Sequence, residues 1–353
     1  MATEDGGRVL VSPAPHAYAP PQIGAQSAAP DGLPSPLANL PQVSSGAWQV
    51  LDWHMLEARR RRGKHFYVYA LTYLNGVERR SRQAQVFAKV YSNDRGAHAL
   101  EAMRTLWAAG FRPPARELVT RPYGYLPGLN VLFQARAIGQ TWADFLLADD
   151  RELAHASRRA GRWLAHLQGT PVAGTPADRR EVLAIASWVE ELSRAFPAIR
   201  QRLEPLAVRL EHNISSAADL AVPSHGDYHP KNVLLAMDRT TVIDFDTFGL
   251  RRPAFDVGYA IGQLLIMSAF RAGGFGPGAR AALAFWGHYQ RCGRAAWPEV
   301  AAEVARTFLQ SLHYELCTLR NERFDLLERW PAMMEAWLDG GGPRLLEGLV
   351  SDR

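Results

Sequence analysis

The stretch Ser224-His225-Gly226-Asp227-Tyr228-His229-Pro230-Lys231-Asn232-Val233-Leu234-Leu235, with Val242-Ile243-Asp244-Phe245-Asp246 a few residues on, decides how this chain is read. It spells a short polar loop, an apolar strand, a tight turn around Asp238-Arg239, and a second strand through β-branched Thr241-Val242-Ile243 that ends in acid. Folded back antiparallel, such a hairpin brings Asp227 and Asn232, ahead of its first strand, close to Asp244, beyond its second. Two carboxylates and an amide oxygen then share one small volume. That is a donor set suited to Mg²⁺, with one carboxylate left over to orient a hydroxyl.

The same residues carry a resemblance. Protein kinases place a catalytic Asp five residues before a metal-binding Asn and a second metal-binding Asp beyond a strand pair. Asp227, Asn232 and Asp244 have that order and spacing, with His-Gly-Asp in place of His-Arg-Asp and Ile-Asp-Phe-Asp in place of Asp-Phe-Gly. The chain in this respect resembles the aminoglycoside phosphotransferase and choline kinase-like family, the small-molecule branch of the kinase fold. The resemblance implies an α+β, bilobal, protein-kinase-like architecture. A disordered Pro/Ala-rich tail over 1–46 would precede an N-lobe over 47–138, with an antiparallel five-stranded sheet and a helix, and a mostly helical C-lobe over 139–353.

Composition narrows the class. The 353 residues, 47% hydrophobic and 10% aromatic, are those of an ordinary globular chain. Two cysteines, Cys292 and Cys317, supply no disulfide framework and no metal-binding cluster, which fits a cytoplasmic protein. The acidic start and Pro13 and Pro15 make a poor signal peptide, and the apolar run Tyr259 to Phe270 is too short to cross a membrane. A net charge of +5 raises the question of nucleic acid, but the arginines are scattered and no aromatic-basic interleaving accompanies them, so no nucleic-acid partner is expected. Of 40 basic residues only Lys64, Lys89 and Lys231 are lysines. A compact ammonium suits a phosphate oxygen in a narrow site, where a guanidinium is too broad.

Eight prolines among small residues fill the first 46 positions. Three strands follow: 50–56, 65–73 and 85–91, the last two joined by the turn signal Asn75-Gly76. Lys89 stands mid-strand in Phe-Ala-Lys-Val, and the resemblance implies nucleotide α/β-phosphates on one side of it and a helical glutamate, Glu101, on the other. The connection Arg59-Arg60-Arg61-Arg62-Gly63-Lys64 replaces the family's Gly-rich flap with cations. It reads equally as a charge grip on phosphate, a solvated run, or a grip on an acidic acceptor. Ser92-Asn93-Asp94 caps a helix that ends near Gly110. Glu117-Leu118-Val119 and Val131-Leu132-Phe133-Gln134 are read as strands four and five, with 122–128 a loop between them. Ala135 and Ala137, in a hinge ending at Gly139, would offer backbone groups to the base, with Gln134 facing it. That polar gatekeeper leaves ATP or GTP open.

By the same resemblance Asp227 takes the acceptor proton, Asn232 and Asp244 hold Mg²⁺, and Lys231 steadies the γ-phosphate. His225, His229 and Asp246 support the site, and Asp256 braces the loop. The expected activity is ATP-dependent transfer of phosphate to a hydroxyl of a small molecule: a sugar, an aminoglycoside or an amino alcohol. A nucleotide-binding pseudokinase and a protein kinase are the alternatives. An acidic acceptor wall (Glu315, Glu322, Asp325, Glu328) or an aromatic cage (Trp286, Tyr289, Trp297, Tyr314, Trp330) would mark a cationic acceptor.

Overall fold

The computed structural model describes residues 33, 35–61, 64–172, 180–215 and 221–351. Part of the tail expected to be unstructured is ordered. Two four-residue helices, α1 (Ser35–Ala38) and α2 (Pro41–Ser44), bury Leu37 and Leu40 completely, and Gln42 Nε2 donates to Tyr123 O at 3.0 Å. Proline-rich composition misleads here because Leu33, Leu37 and Leu40 among those prolines are all buried.

Strands β1 (Trp48–Arg61), β2 (Lys64–Asn75) and β3 (Ser81–Val90) form an antiparallel meander. The first two run further than their apolar cores suggest. Arg59 pairs with Phe66, Arg60 with His65 and Arg61 with Lys64, so most of the arginine run is strand, not connection. Residues 62–63, and the side chains of 61–64 including Lys64, lie outside the described residues. The β2–β3 connection is also longer than a two-residue turn: Arg79 N donates to Asn75 O at 2.8 Å and Val77 N to Asn75 Oδ1 at 3.0 Å.

Asn93 Oδ1 accepts from Arg95 N at 3.2 Å at the start of helix α3 (Arg95–Ala108), which buries Leu100, Met103 and Leu106 and leaves Glu101 exposed. Then come β4 (Glu117–Val119), β5 (Pro122–Leu126) and β6 (Val131–Ala135). The expected fourth strand is a different one. The five-stranded sheet has the order β1-β2-β3-β6-β5, so 122–126 is a strand, and Glu117–Val119 joins another sheet. Proline at the first position of a strand on the sheet's edge removes no ladder bond, which is why Pro122 does not prevent β5.

Two compact units divide the chain. One runs up to Gly96 and adds Tyr123–Phe133; the other holds Ala97–Pro122 and Gln134–Arg353. Helix α3 thus belongs mostly with the second. There, β7 (Gln140–Thr141) leads to α4 (Asp150–Gly169), α5 (Arg180–Ala195) and α6 (Arg200–Ser215), then to β8 (Val222–Ser224), β9 (Val233–Ala236), β10 (Arg239–Val242) and β11 (Gly249–Arg251). Helices α7 (Ala254–Ala272), α8 (Gly276–Tyr289), α9 (Trp297–His313), α10 (Leu326–Leu338) and α11 (Pro343–Ser351) complete it. No helix among the described residues is long and apolar enough to cross a membrane.

Helix α4 is the post on which the hairpin rests. Asp149 caps it by accepting from Arg151 N and Glu152 N, both at 2.9 Å. Its Trp163, fully buried, stacks on Tyr228 at 5.6 Å and donates from Nε1 to Leu118 O at 3.0 Å. Buried Arg159 reaches the far end of the hairpin, donating to Met237 O at 2.7 Å, to Arg239 O and to Thr240 Oγ1 at 3.3 Å. A guanidinium matches this turn because its donors fan out in one plane.

Candidate active site

Two strand pairings set the site. β8 and β11 pair antiparallel, Ser224 opposite Gly249, and β9 and β10 pair antiparallel, Val233 opposite Val242. The loop from His225 to Asn232 and the loop from Ile243 to Phe248 are therefore tied together at both ends. Further bonds join them between: Ile243 N donates to Asn232 O at 3.0 Å, His225 Nε2 to Ile243 O at 2.9 Å, and Thr247 Oγ1 to His225 O at 3.2 Å. On the outer side β4 lies parallel to β10, β7 pairs with β9, and Ala143 N donates to Pro230 O at 3.1 Å.

The histidines are held in one tautomer each. Asp227 N donates to His225 Nδ1 at 3.2 Å, which leaves the proton on Nε2 for Ile243 O. Lys231 N donates to His229 Nδ1 at 3.1 Å, so His229 Nε2 carries its proton and faces Asp227 Oδ2 at 3.6 Å. Burial, and then the neighbouring Lys231, hold His229 down at about 4, so it is neutral at pH 7.

Gly226 stands where no other residue fits. Its φ is +80°, and a Cβ there would lie 2.3 Å from Thr247 O. Gly226→Ala is expected to force the two loops apart and to lower the melting temperature by several degrees, with the rate falling alongside it.

Below the loop, Asp256 in the first turn of α7 is fully buried and accepts three bonds. Oδ2 takes Ser224 Oγ at 2.8 Å and His225 N at 2.6 Å, and Oδ1 takes Gly226 N at 2.9 Å. Above it, the Asp227 carboxylate keeps 37% of its surface open. Burial of the remainder, together with the charge of Asp244, pushes it up to about 6. Asn232 directs its Nδ2 at Asp227, to O at 3.1 Å and Oδ2 at 3.4 Å, which turns its carbonyl oxygen the other way. Asp244 sits in the facing loop in the left-handed region, φ +70°, and within electrostatic reach of both Asp227 and His229. Asp246, half-buried, is two residues further along that loop, and Lys231 is exposed at the rim.

Gly139 approaches this unit closely. A Cβ there would meet Leu235 O at 2.5 Å, which holds the segment after Ala135 and Ala137 against β9, while Gln134 is buried. Lys89 belongs to the first unit. It is buried in β3, its ammonium 4.8 Å from the centre of the Tyr91 ring.

Five of the C-terminal residues considered for a cationic acceptor are otherwise engaged. Tyr289 and Trp330 are fully buried and Trp286 nearly so, which makes them core and not a cage. Asp325 pairs with Arg323 at 2.9 Å, and Glu315 accepts from Asn321 Nδ2 at 2.6 Å. Tyr259, whose ring meets the His229 ring edge-on at 6.4 Å, went unnoticed in the sequence. Its signal was the spacing: three residues after Asp256 on a helix is the same face.

The chain can be set beside known proteins on this geometry. No curated protein sequence matches it. Among solved structures, a choline/ethanolamine kinase family protein from Mesorhizobium loti is similar, with TM-score 0.55 and 16% identity over 89% of this chain and 96% of that one. A thermostable mutant of aminoglycoside phosphotransferase APH(4)-Ia, in ternary complex with ADP and hygromycin B, has TM-score 0.56 and 14% identity over 86% and 99%. Spectinomycin phosphotransferase APH(9)-Ia with ADP and spectinomycin has TM-score 0.51 and 12% identity over 86% and 93%. At such identities these establish the protein-kinase-like fold alone. The sequence itself goes further, since residues 57–302 match the phosphotransferase enzyme family from β1 through the β9–β10 hairpin into α9, and to that family the chain belongs.

Proposed function

We propose that this phosphotransferase moves the γ-phosphoryl group of ATP to a hydroxyl of a small molecule, with Asp227 receiving the hydroxyl proton. The observation that carries the reading is the raised, half-open carboxylate of Asp227, with the Asn232 amide beside it and Asp244 in the facing loop. Phosphoryl transfer asks for positioning and neutralisation more than covalent chemistry; these groups would supply the positioning and hold the cation that neutralises.

The donors fit Mg²⁺ brought in with a nucleotide. Among the described residues no three His, Cys, Asp or Glu side chains cluster as a free-standing metal site. Mg²⁺ is commonly held by one or two carboxylates with phosphates and water completing its shell, and the Asn232 oxygen and the Asp244 carboxylate match that share. Bound there, the ion would neutralise charge on the β- and γ-phosphates. In this reading Lys89 takes the α/β-phosphates and Lys231 the γ-phosphate, and Glu101 and Lys64 are counted with the nucleotide-binding residues. Gln134, Ala135 and Ala137 bind the base, and GTP is the other candidate donor. His225, His229 and Asp246 support the loops. A cytoplasmic location suits two free cysteines.

The acceptor carries hydroxyls and little charge. A polycation needs unneutralised acids, and Asp325 is paired with Arg323, which holds it low. Mg-ATP turnover measured against neutral sugars, amino alcohols, choline and aminoglycosides tests this. Turnover with a hydroxylated acceptor is the expected result, and nucleotide binding without transfer to any of them or to water would make the chain a scaffold. The pH dependence follows from Asp227. In the free enzyme its carboxyl titrates at about 6, so kcat/KM should fall tenfold per pH unit below that and stay level above it. A profile flat down to pH 5 would remove Asp227 from the base role.

A further inference from the structure

We infer that His98, in the first turn of α3, is a positioning residue for phosphotransfer. It holds the loop from Ile243 to Phe248, which carries Asp244, in its metal-binding shape. The inference rests on the reading of Asp244 as a Mg²⁺ ligand. His98 Nε2 lies 2.8 Å from Phe248 O, 150 residues away along the chain. A carbonyl oxygen can only accept, so Nε2 carries the proton and donates it. The loop needs an outside hold. Asp244 sits at φ +70°, a region that a residue with a side chain occupies only where its surroundings impose it. The near end of the loop is set by the catalytic loop, through the bonds of Ile243 with Asn232 and His225. At the far end the Phe248 peptide is fixed on both sides. Phe248 N donates to Phe245 O at 3.2 Å, closing a turn over Asp246 and Thr247, and Phe248 O receives His98.

Both partners of this bond are anchored to α4. Phe245, next to Asp244, is buried, with its ring 4.8 Å from that of His225, 6.3 Å from that of Phe248 and 6.4 Å from that of Trp163. Helix α3 leads into Phe111, which is fully buried, its ring 4.5 Å from that of His166 and 5.4 Å from that of Trp163. Phe111 O also accepts from Val119 N at 3.0 Å. One post thus steadies the helix that gives the bond and the loop that receives it. His98 lies on the exposed side of α3, away from buried Leu100, Met103 and Leu106, so its side chain contributes this bond and not core packing. Glu101, three residues further on, shares that side of the helix.

Metal binding and loop motion can be read without turnover. In the metal-free protein, amide exchange over 243–249 should speed up about 3- to 10-fold in His98→Ala, the change in an opening equilibrium that one part-buried hydrogen bond accounts for. Affinity for Mn²⁺ in the presence of ADP, followed by electron paramagnetic resonance, should weaken by a similar factor, since the ion meets a smaller population of correctly shaped loops. In hydrolysis of ATP with water as acceptor, the Mg²⁺ concentration for half-maximal rate should rise with it. There kcat at saturating Mg²⁺ should stay within about twofold of the parent, because the bound ion draws the loop back. His98→Gln places an amide donor where Nε2 stood and should restore all three readouts; His98→Asn, whose amide matches Nδ1 and stops short, should restore none. Loop exchange and Mn²⁺ affinity of His98→Ala within about twofold of the parent would overturn the inference. So would a fall in kcat at saturating Mg²⁺ with Mn²⁺ affinity unchanged. Should His98→Ala not fold, the glutamine and asparagine variants give the same comparison, and equal Mn²⁺ affinities for these two would overturn it. An Asp244→Ala variant that binds Mn²⁺ like the parent would instead sink the underlying assignment of Asp244, a distinct outcome.

Discussion

Asp227→Asn is expected to slow turnover about 10²- to 10⁴-fold, the usual share of a general base, and at the same time to make the folded protein more stable at neutral pH. The two effects share one cause. Burial and the nearby charge of Asp244 raise the carboxyl to about 6, against about 3.9 in an unfolded chain. Above pH 6 the group is ionised in both states, and the folded state bears the full cost of an unfavourable charge. Between pH 6 and pH 4 the folded state takes up its proton first, so the cost shrinks as pH falls, and below about 4 it is gone. Because 37% of the side chain is open to solvent, screening reduces the nominal cost to about 1 kcal/mol. Asparagine keeps the shape of the side chain and carries no charge. The melting temperature of Asp227→Asn should therefore exceed the parent's by about 2–4 °C at pH 7, with the gap closing near pH 4. A variant less stable than the parent at pH 7 would mean that the carboxylate is well accommodated and not held in an uncomfortable charge state.

How far such a site can be seen in a sequence depends on the distance along the chain over which its parts interact. The meeting of Asp227, Asn232 and Asp244 is a local matter. One short hairpin with a clear apolar pattern joins them, so spacing alone indicates that the two loops lie together. The pieces that hold the hairpin are another matter. Arg159 binds its turn from 78 residues away, and Trp163 binds Leu118 O from 45 residues away. A buried guanidinium in a helix looks in sequence like any surface arginine of an amphipathic face. Strand assignment failed for the same reason. Glu117–Val119 has the right length and composition for either sheet, and only its parallel pairing with β10 decides the matter. The N-terminal segment shows the reverse case, since composition outvoted three leucines that are all buried. Between these limits stands Tyr259, legible only once Asp256 has been read as a helical residue facing the loop.

Asp256→Ala is expected to be the most destabilising single change at the site, and its effect separates bracing from chemistry. Three donors, Ser224 Oγ, His225 N and Gly226 N, end on a carboxylate with no solvent exposure. Alanine leaves all three facing a cavity that the protein closes off. At about 1–3 kcal/mol for each stranded group, offset where the serine hydroxyl rotates to another acceptor, the loss comes to about 3–5 kcal/mol. Asp256→Asn should cost about half as much, because its amide –NH₂ must point at one of the two backbone N–H groups, placing donor against donor. Denaturant unfolding should show the order parent, Asn, Ala with unchanged slope, as for a shift in stability without a change in compactness. Turnover per folded molecule should fall as well, since the loop that carries Asp227 loses its floor. The distinction from Asp227→Asn lies in recovery. A stabilising osmolyte such as sucrose should restore part of the activity of Asp256→Asn by returning the loop to its place, and should restore none to Asp227→Asn, where the proton acceptor itself is absent. Equal stability of Asp256→Ala and the parent would mean that the loop between β8 and β9 is held by the strand pairings alone.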